Sequence, residues 1–569
     1  MDGVVAITTK FDRNDWIPVN HETPPTANVS ERDRATASRW GDRVPGPWAM
    51  AIIGVCLLAM VGMYPIGLRW DRSRADLNVA LLVLALILGI TLVVWFLFRS
   101  RYSVRLRVGV AIFLLVSGGL LPALFRIDRV SGDLVPRLAF RWQPARDRVL
   151  GSHGDVFSVA DLRTTTAEDS PEFLGPQRRN RWPERLLATD WEEHPPRKLW
   201  EMPIGAGWSG FSVVNGYAVT MEQRGDDELV TCLDVATGEV QWYHAVRTRH
   251  ETVLGGVGPR GTPTIHEGRV YALGATGILR CLDGETGEEI WSDNIQERLG
   301  LDPQSDRIGL PWGRSASPLI VGELVVVPWG GPGPGPYVSL AAYDRENGQV
   351  AWTGGEHQAS YASPVLAALA DRLQILSVNQ NYLTSHCPES GALLWQHPWP
   401  GMSASNVNAS NPMPLAQDRV LLSKGYGGGA QVIQVTCKGG DDWRVEPIWA
   451  NHRVLQTKYT NVVIRGDFAY GLSDGILECV RLRDGRRQWK GGRYGQGQLL
   501  GVGDALLVQA ESGDVALVAA IPDRHQELGR FSALSGITWN QPSLYGNRLL
   551  VRNAERAACY ELALRDDGA

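Results

Sequence analysis

Six short stretches set a cation or an aromatic ring among small residues: Gly207-Trp208-Ser209, Pro259-Arg260-Gly261, Gly313-Arg314-Ser315, Ser360-Tyr361-Ala362, Lys458-Tyr459-Thr460 and Thr538-Trp539-Asn540. Glu222 and Arg224 add charge in the run from Met221 to Glu228. Rings stack on planar groups, and guanidinium forks grip carboxylates through paired hydrogen bonds. Trp208, Glu222, Arg224, Arg260, Arg314, Tyr361, Lys458 and Trp539 are therefore the candidate ligand-binding residues, suited to a planar anion or an acidic peptide. The competing reading is a set of solvated loop residues with a few stacking rings.

Covalent and metal chemistry find less footing. The sequence has no P-loop, no HExxH and no Gly-x-Ser-x-Gly elbow, and His266, His357 and His386 stand far apart. Asp474 and Glu511 read most simply as hairpin-turn carboxylates. The seven cysteines form no CxxC pair and no Cys/His cluster of zinc spacing. Cys232, Cys281 and Cys479 each precede a tryptophan by ten residues, where Ala342 and Ser385 stand in other copies, so they read as small buried side chains. No catalytic residue, metal ligand or enzyme activity is expected.

What positions the candidates is a repeat. Trp242, Trp291, Trp352, Trp395 and Trp489 close stretches of the form small-x-Asp-x-x-Thr/Asn-Gly-x-x-x-Trp, clearest at Asp234-Trp242, Asp283-Trp291 and Asp344-Trp352; Trp200 and Trp449 fit with weaker turns. From Trp200 to Trp489 the spacings are 42, 49, 61, 43, 54 and 40 residues. A period in the forties, with short β-type segments between Gly-rich turns, predicts a β-propeller. The seven tryptophans are expected to fill the wedges between blades.

The units run 201–242, 243–291, 292–352, 353–395, 396–449 and 450–489, with a degenerate seventh near 490–528. The last segment, 529–562, supplies three strands, and the residues around Trp200 supply a fourth. Joining them predicts an all-β eight-bladed propeller over 196–565. Seven blades is the alternative, because the seventh unit lacks its tryptophan.

Three apolar runs precede the repeat, at 48–68, 77–98 and 108–125, each long enough to span a bilayer as a helix. They make 47–125 a three-helix transmembrane region. Residues 1–46 read as a polar N-terminal tail, and 126–195, interrupted by six prolines, as an irregular linker. Arg32, Arg34, Arg39, Arg43, Arg99, Arg101, Arg105 and Arg107 stand on one side of the spans; Arg69, Arg72, Arg74, Arg126, Arg129, Arg137 and Arg141 stand on the other. Charge bias therefore leaves the orientation open. A net charge of −5 and 21% charged residues give no sign of a nucleic-acid footprint.

The Asp-x-x-Thr-Gly-x-x-x-Trp copies resemble the quinoprotein-type (PQQ) repeat, and the chain looks most like membrane-tethered BamB-like propeller proteins. The segment PEFLGPQRRN at 171–180 resembles a lead-in found ahead of such propellers. The resemblance implies eight blades on the extracytoplasmic side of the cytoplasmic (inner) membrane, in the periplasm. It implies a binding scaffold with a cell-envelope protein or peptide partner. The alternative within the same fold is a PQQ-dependent dehydrogenase. Such enzymes carry adjacent cysteines and a calcium-binding Glu/Asn/Asp set. This sequence has no adjacent cysteines, and that set has no match in it. No cofactor is expected, with PQQ and calcium as the alternative.

Overall fold

The computed structural model describes residues 45–69, 73–151, 158–182, 186–333, 335–403 and 405–565. The polar tail to residue 44, and with it Arg32, Arg34, Arg39 and Arg43, lies outside the described residues, as does Arg72. Two compact units divide the chain: residues up to 60 together with 83–117, and residues 61–82 together with everything from 118 onward.

Three helices, α1 (Pro47–Arg69), α2 (Arg74–Val94) and α3 (Val104–Leu124), are long and apolar enough to cross a membrane. A π-helical turn, Trp95–Arg99, extends α2. Their Leu, Val and Ile side chains cover all faces and most are exposed or half-exposed, with Cys56, Ala75 and Leu77 buried, as in a helix whose solvent is lipid. At Phe125 α3 gives way directly to strand β1 (Phe125–Val130), which pairs antiparallel with β2 (Pro136–Phe140).

Among the described residues the remainder builds eight blades of four antiparallel strands, one of which carries a short fifth strand added in parallel. They occupy residues 212–247, 264–294, 319–354, 365–398, 413–451, 463–493, 498–532 and 543–561. In the first seven, strands follow one another from the inside outward; blade 2 shows the register, with Thr264 opposite Tyr271, Arg269 opposite Asp283 and Cys281 opposite Trp291. The eighth takes its outermost strand, β4 (Arg197–Pro203), from the start of the propeller, pairing Cys559 with Trp200. Ring closure thus ties the two ends of the propeller together and removes an open edge from each. The seven-bladed alternative falls, because the unit without a tryptophan, 498–532, is a complete blade.

The repeat's spelling follows from the turn it makes. The Asp234 carboxylate accepts the amides of Ala236 (2.7 Å) and Thr237 (2.8 Å), and Asp283 and Asp344 do the same in their blades. The glycine that follows meets the tryptophan of the preceding blade. A Cβ on Gly287 would lie 2.5 Å from the Trp242 ring, and Gly238, Gly348, Gly391 and Gly485 meet Trp200, Trp291, Trp352 and Trp449 the same way. Each indole also donates to a carbonyl in that turn, as Trp242 Nε1 does to Gly284 (2.9 Å). Trp395 departs from the pattern: blade 5 lacks the Thr-Gly turn, and the indole donates instead to Gln374 Oε1 (2.7 Å). Opposite each tryptophan stands a small or β-branched residue, which explains the cysteines: Cys232, Cys281, Cys479 and Cys559 are buried and free.

In blade 7 the tryptophan position is Gly529, opposite Leu517. The vacant space is filled from outside the repeat by Trp191, whose ring and Cβ lie within 3.1 Å of where a Gly529 Cβ would stand. Trp191 belongs to the stretch that reads in sequence as a tether, yet that stretch is stitched to the propeller. Ser170 bridges Val213, Leu187 bridges Leu564, and β3 (Arg181–Trp182) adds in parallel to the inner strand of blade 7. Arg178 is buried: its guanidinium pairs with Glu172 (2.8 Å) and donates to the carbonyls of Ser317, Pro318 and Pro364. Prolines bar regular elements here, but backbone and guanidinium donors still find partners on the inner strands.

Candidate functional site

The loops that lead into the inner strands converge on a cavity of about 1270 Å³. Each blade contributes the same local position, so residues far apart in sequence share one wall. Of the residues singled out in sequence, Trp208, Arg260, Tyr361, Lys458 and Trp539 line it. Trp208 and Trp539 lie with ring centroids 4.7 Å apart, and Tyr459 adds a third ring 5.0 Å from Trp539. Trp312 and Tyr361 form a second pair at 5.4 Å.

Arg260 is held in place by carbonyls: it donates to Gly258 (2.6 Å) and Gly255 (2.9 Å), and among the described residues no carboxylate pairs with it. Burial pushes its guanidinium down to about 10, which leaves it charged at neutral pH. Lys458 sits 3.5 Å from Asp474 and 5.8 Å from the centre of the Tyr426 ring. Burial raises the Asp474 carboxyl, with Lys458 opposing, and pushes Tyr426 up to about 12. The Tyr459 hydroxyl, also raised by burial, finds no hydrogen-bond partner among the described residues. The wall therefore offers ring faces, the cations Arg260 and Lys458 with Arg453 and Arg487 beside them, the carboxylates of Asp76 and Asp474, and the Tyr459 hydroxyl.

The other sequence candidates lie elsewhere. Arg314 turns away to a buried pair with Asp306 (2.7 Å) and the Trp329 carbonyl (3.1 Å). Its neighbour Trp312 lines the cavity instead. Glu222 is buried under blade 1, accepting from Thr231 (2.9 Å) and Gly205 and lying 3.2 Å from Arg224, whose Nη1 donates to Gly151 (3.0 Å). Trp200, Trp242, Trp291, Trp352, Trp395, Trp449 and Trp489 stand in the blades. Sequence reasoning passed over Trp312, which lies two residues before the Arg314 stretch, and Tyr426, which carries a positive φ of 58° in the hairpin of blade 5.

Three further segments complete the cavity. Phe173, from the 171–180 segment, lines it, and so do Ser73, Asp76, Ser131, Gly132 and Leu134. The turn between β1 and β2 is fixed there: the Gly132 amide donates to Glu511 (2.6 Å), and Glu511 also accepts from Gln496 (2.9 Å) and the Trp539 indole (3.1 Å). Those donors occupy the Glu511 carboxylate, and Lys458 engages Asp474. A calcium-held quinone needs several converging oxygen donors, and among the described residues no group of three or more His, Cys, Asp or Glu could hold a metal ion.

Eight blades closed by an N-terminal strand, with Asp-x-x-Thr-Gly turns stacked under tryptophans, define a PQQ-like propeller. The family model of the outer membrane protein assembly factor BamB matches residues 184–491, more than half of the chain, and the chain belongs to that family. BamB of Yersinia pestis is 24% identical over 319 residues, covering 50% of this chain and 70% of that protein. Among solved structures, BamB from Moraxella catarrhalis aligns with 64% of this chain and 99% of its own at 14% identity and a TM-score of 0.45. Quinohemoprotein alcohol dehydrogenase from Comamonas testosteroni aligns with 70% and 82% at 13% identity and a TM-score of 0.40. At those scores neither bears on what this chain does.

Proposed function

We propose that this chain is a membrane-anchored scaffold of the cell envelope, whose propeller receives a protein segment or small ligand at its cavity. In this reading α1, α2 and α3 cross the inner membrane. The N-terminal tail is cytoplasmic and the propeller periplasmic. Residues 126–195 link the spans to the propeller proper. The observation that carries it is the aromatic wall around Arg260 and Lys458 in a propeller of the BamB family. Ring faces and cations together suit an acidic or planar segment, since stacking and charge-assisted bonds act on the same group. Membership of the family supports a protein partner in the envelope.

The test is crosslinking in intact cells followed by solubilisation and purification, for wild type and for Trp208→Ala and Arg260→Ala. A defined partner that both substitutions deplete supports the reading. A partner pattern no richer than that of an unrelated membrane protein sinks it.

A further inference from the structure

The β1–β2 hairpin has one apolar face that nothing among the described residues of its unit covers. Register places Phe125 opposite Phe140 and Ile127 opposite Leu138, so these four share a face, and Trp142 extends it. Ile127 is 49% exposed, Leu138 59%, Phe140 42% and Trp142 66%. The rings are ordered on one another: Phe125 and Phe140 stack at 4.7 Å, Phe140 and Trp142 at 4.6 Å. Arg126 and Arg137 alternate with these residues onto the other face of the hairpin, and Arg141, between Phe140 and Trp142 in sequence, donates to the Pro122 carbonyl (2.6 Å) at the end of α3. The hairpin is also held firmly: its turn bonds to Glu511, and a bulge after Ile127 turns Arg129 to an ion pair with Glu555 of blade 8.

We infer that this hairpin is an interfacial element whose Ile127, Leu138, Phe140 and Trp142 face enters the headgroup layer of the bilayer. Three observations choose that occupant. The face begins at the residue after an apolar helix of membrane-spanning length, so it stands at the depth where that helix leaves the hydrocarbon. Its composition, Trp and Phe with flanking arginines, is that of an interface belt. An ordered apolar patch left in water would favour aggregation, whereas headgroups satisfy both the rings and the guanidinium groups. The hairpin would then fix the height and tilt of the propeller, because its turn is bonded to the cavity wall. The inference rests on the membrane-spanning reading of α3.

The experiment places p-benzoylphenylalanine at Leu138 of the full chain in nanodiscs of phosphatidylethanolamine and phosphatidylglycerol. The same group at Leu115 of α3 and at exposed Leu373 of blade 4 supplies the references. After illumination, phospholipid adducts at Leu138 comparable with those at Leu115, and several-fold above Leu373, support the inference. Adducts at Leu115 with none at Leu138, or a crosslink from Leu138 to a second copy of the chain, overturn it while leaving the spanning reading intact. Loss of lipid adducts at both positions overturns the spanning reading and the inference together.

Discussion

A single glycine shows why this repeat is spelled as it is. Gly287 has a φ of +76°, and its missing Cβ leaves room for the Trp242 ring. Gly225 has a φ of +56° but open space around it. Gly225→Ala is expected to cost about 1–2 kcal/mol, the penalty for a left-handed backbone alone. Gly287→Ala carries that penalty plus roughly 1–3 kcal/mol for overpacking the indole. Urea unfolding of the detergent-solubilised chain compares them, and equal losses would refute the contact explanation. Lys424 offers a pH test. Its ammonium lies 3.7 Å from the centre of the Trp399 ring and donates to the Pro400 carbonyl, and burial pushes its pKa down to about 8. Unfolded, a lysine titrates near about 10.4. Between those values the unfolded chain binds more protons, so stability rises with pH, by roughly 3 kcal/mol at most. Lys424→Met is expected to flatten that rise, and unfolding curves between pH 7 and pH 10 for both proteins would reveal a slope unchanged by the substitution. At this scale the sequence identified ring and cation positions but not their directions. Arg260 and Arg314 occupy equivalent stretches, yet Arg314 is drawn away by Asp306, eight residues earlier, a pairing that no repeat pattern encodes.

Among the elements, the linker read in sequence as 126–195 is the least legible, and its described residues from 158 onward dock on the propeller through Ser170, Arg178, Leu187 and Trp191. Trp191 takes the place of the blade tryptophan that Gly529 leaves vacant, and lies buried within the blade 7 core. Trp191→Ala is therefore expected to destabilise the chain by about 3–5 kcal/mol, as much as Trp242→Ala, which removes a tryptophan of the repeat itself. Denaturant unfolding of the two variants measures this, and a loss under about 1 kcal/mol for Trp191→Ala would mean the linker does not complete blade 7. The closing strand was legible, because Trp200 stood at repeat spacing with no blade before it and the last segment lacked a fourth strand. The β1–β2 hairpin was not, since a bulge between Ile127 and Arg129 breaks its alternation and nothing in the sequence pairs 125–130 with 136–140.

For the molecule as a whole, two expectations concern its environment. If the propeller is periplasmic, protease added to spheroplasts digests it, whereas protease added to inside-out vesicles leaves it intact; the reverse pattern would invert the topology. If the cavity takes no quinone cofactor, calorimetric titration of the purified full chain with PQQ yields no saturable heat, with or without calcium. Saturable, calcium-dependent binding would make the Arg260 and Lys458 wall a cofactor site.

By itself the sequence determined that a propeller of repeated blades forms, with eight expected and seven left open, and how the tryptophan-bearing blades are built. Those features rest on short-range physics: an Asx turn, a glycine without Cβ, a tryptophan four residues on, and three runs apolar enough for lipid. Tertiary structure alone decided which side chains share the cavity. Trp208, Arg260, Trp312, Tyr361, Lys458 and Trp539 come from different blades, and ring closure brings them to one wall. It also decided that a linker tryptophan completes blade 7 and that the turn between β1 and β2 lines the cavity. Contacts between residues hundreds of positions apart leave no period in the sequence, because they are set by the curvature of the closed ring and by whichever buried partner reaches a charge first.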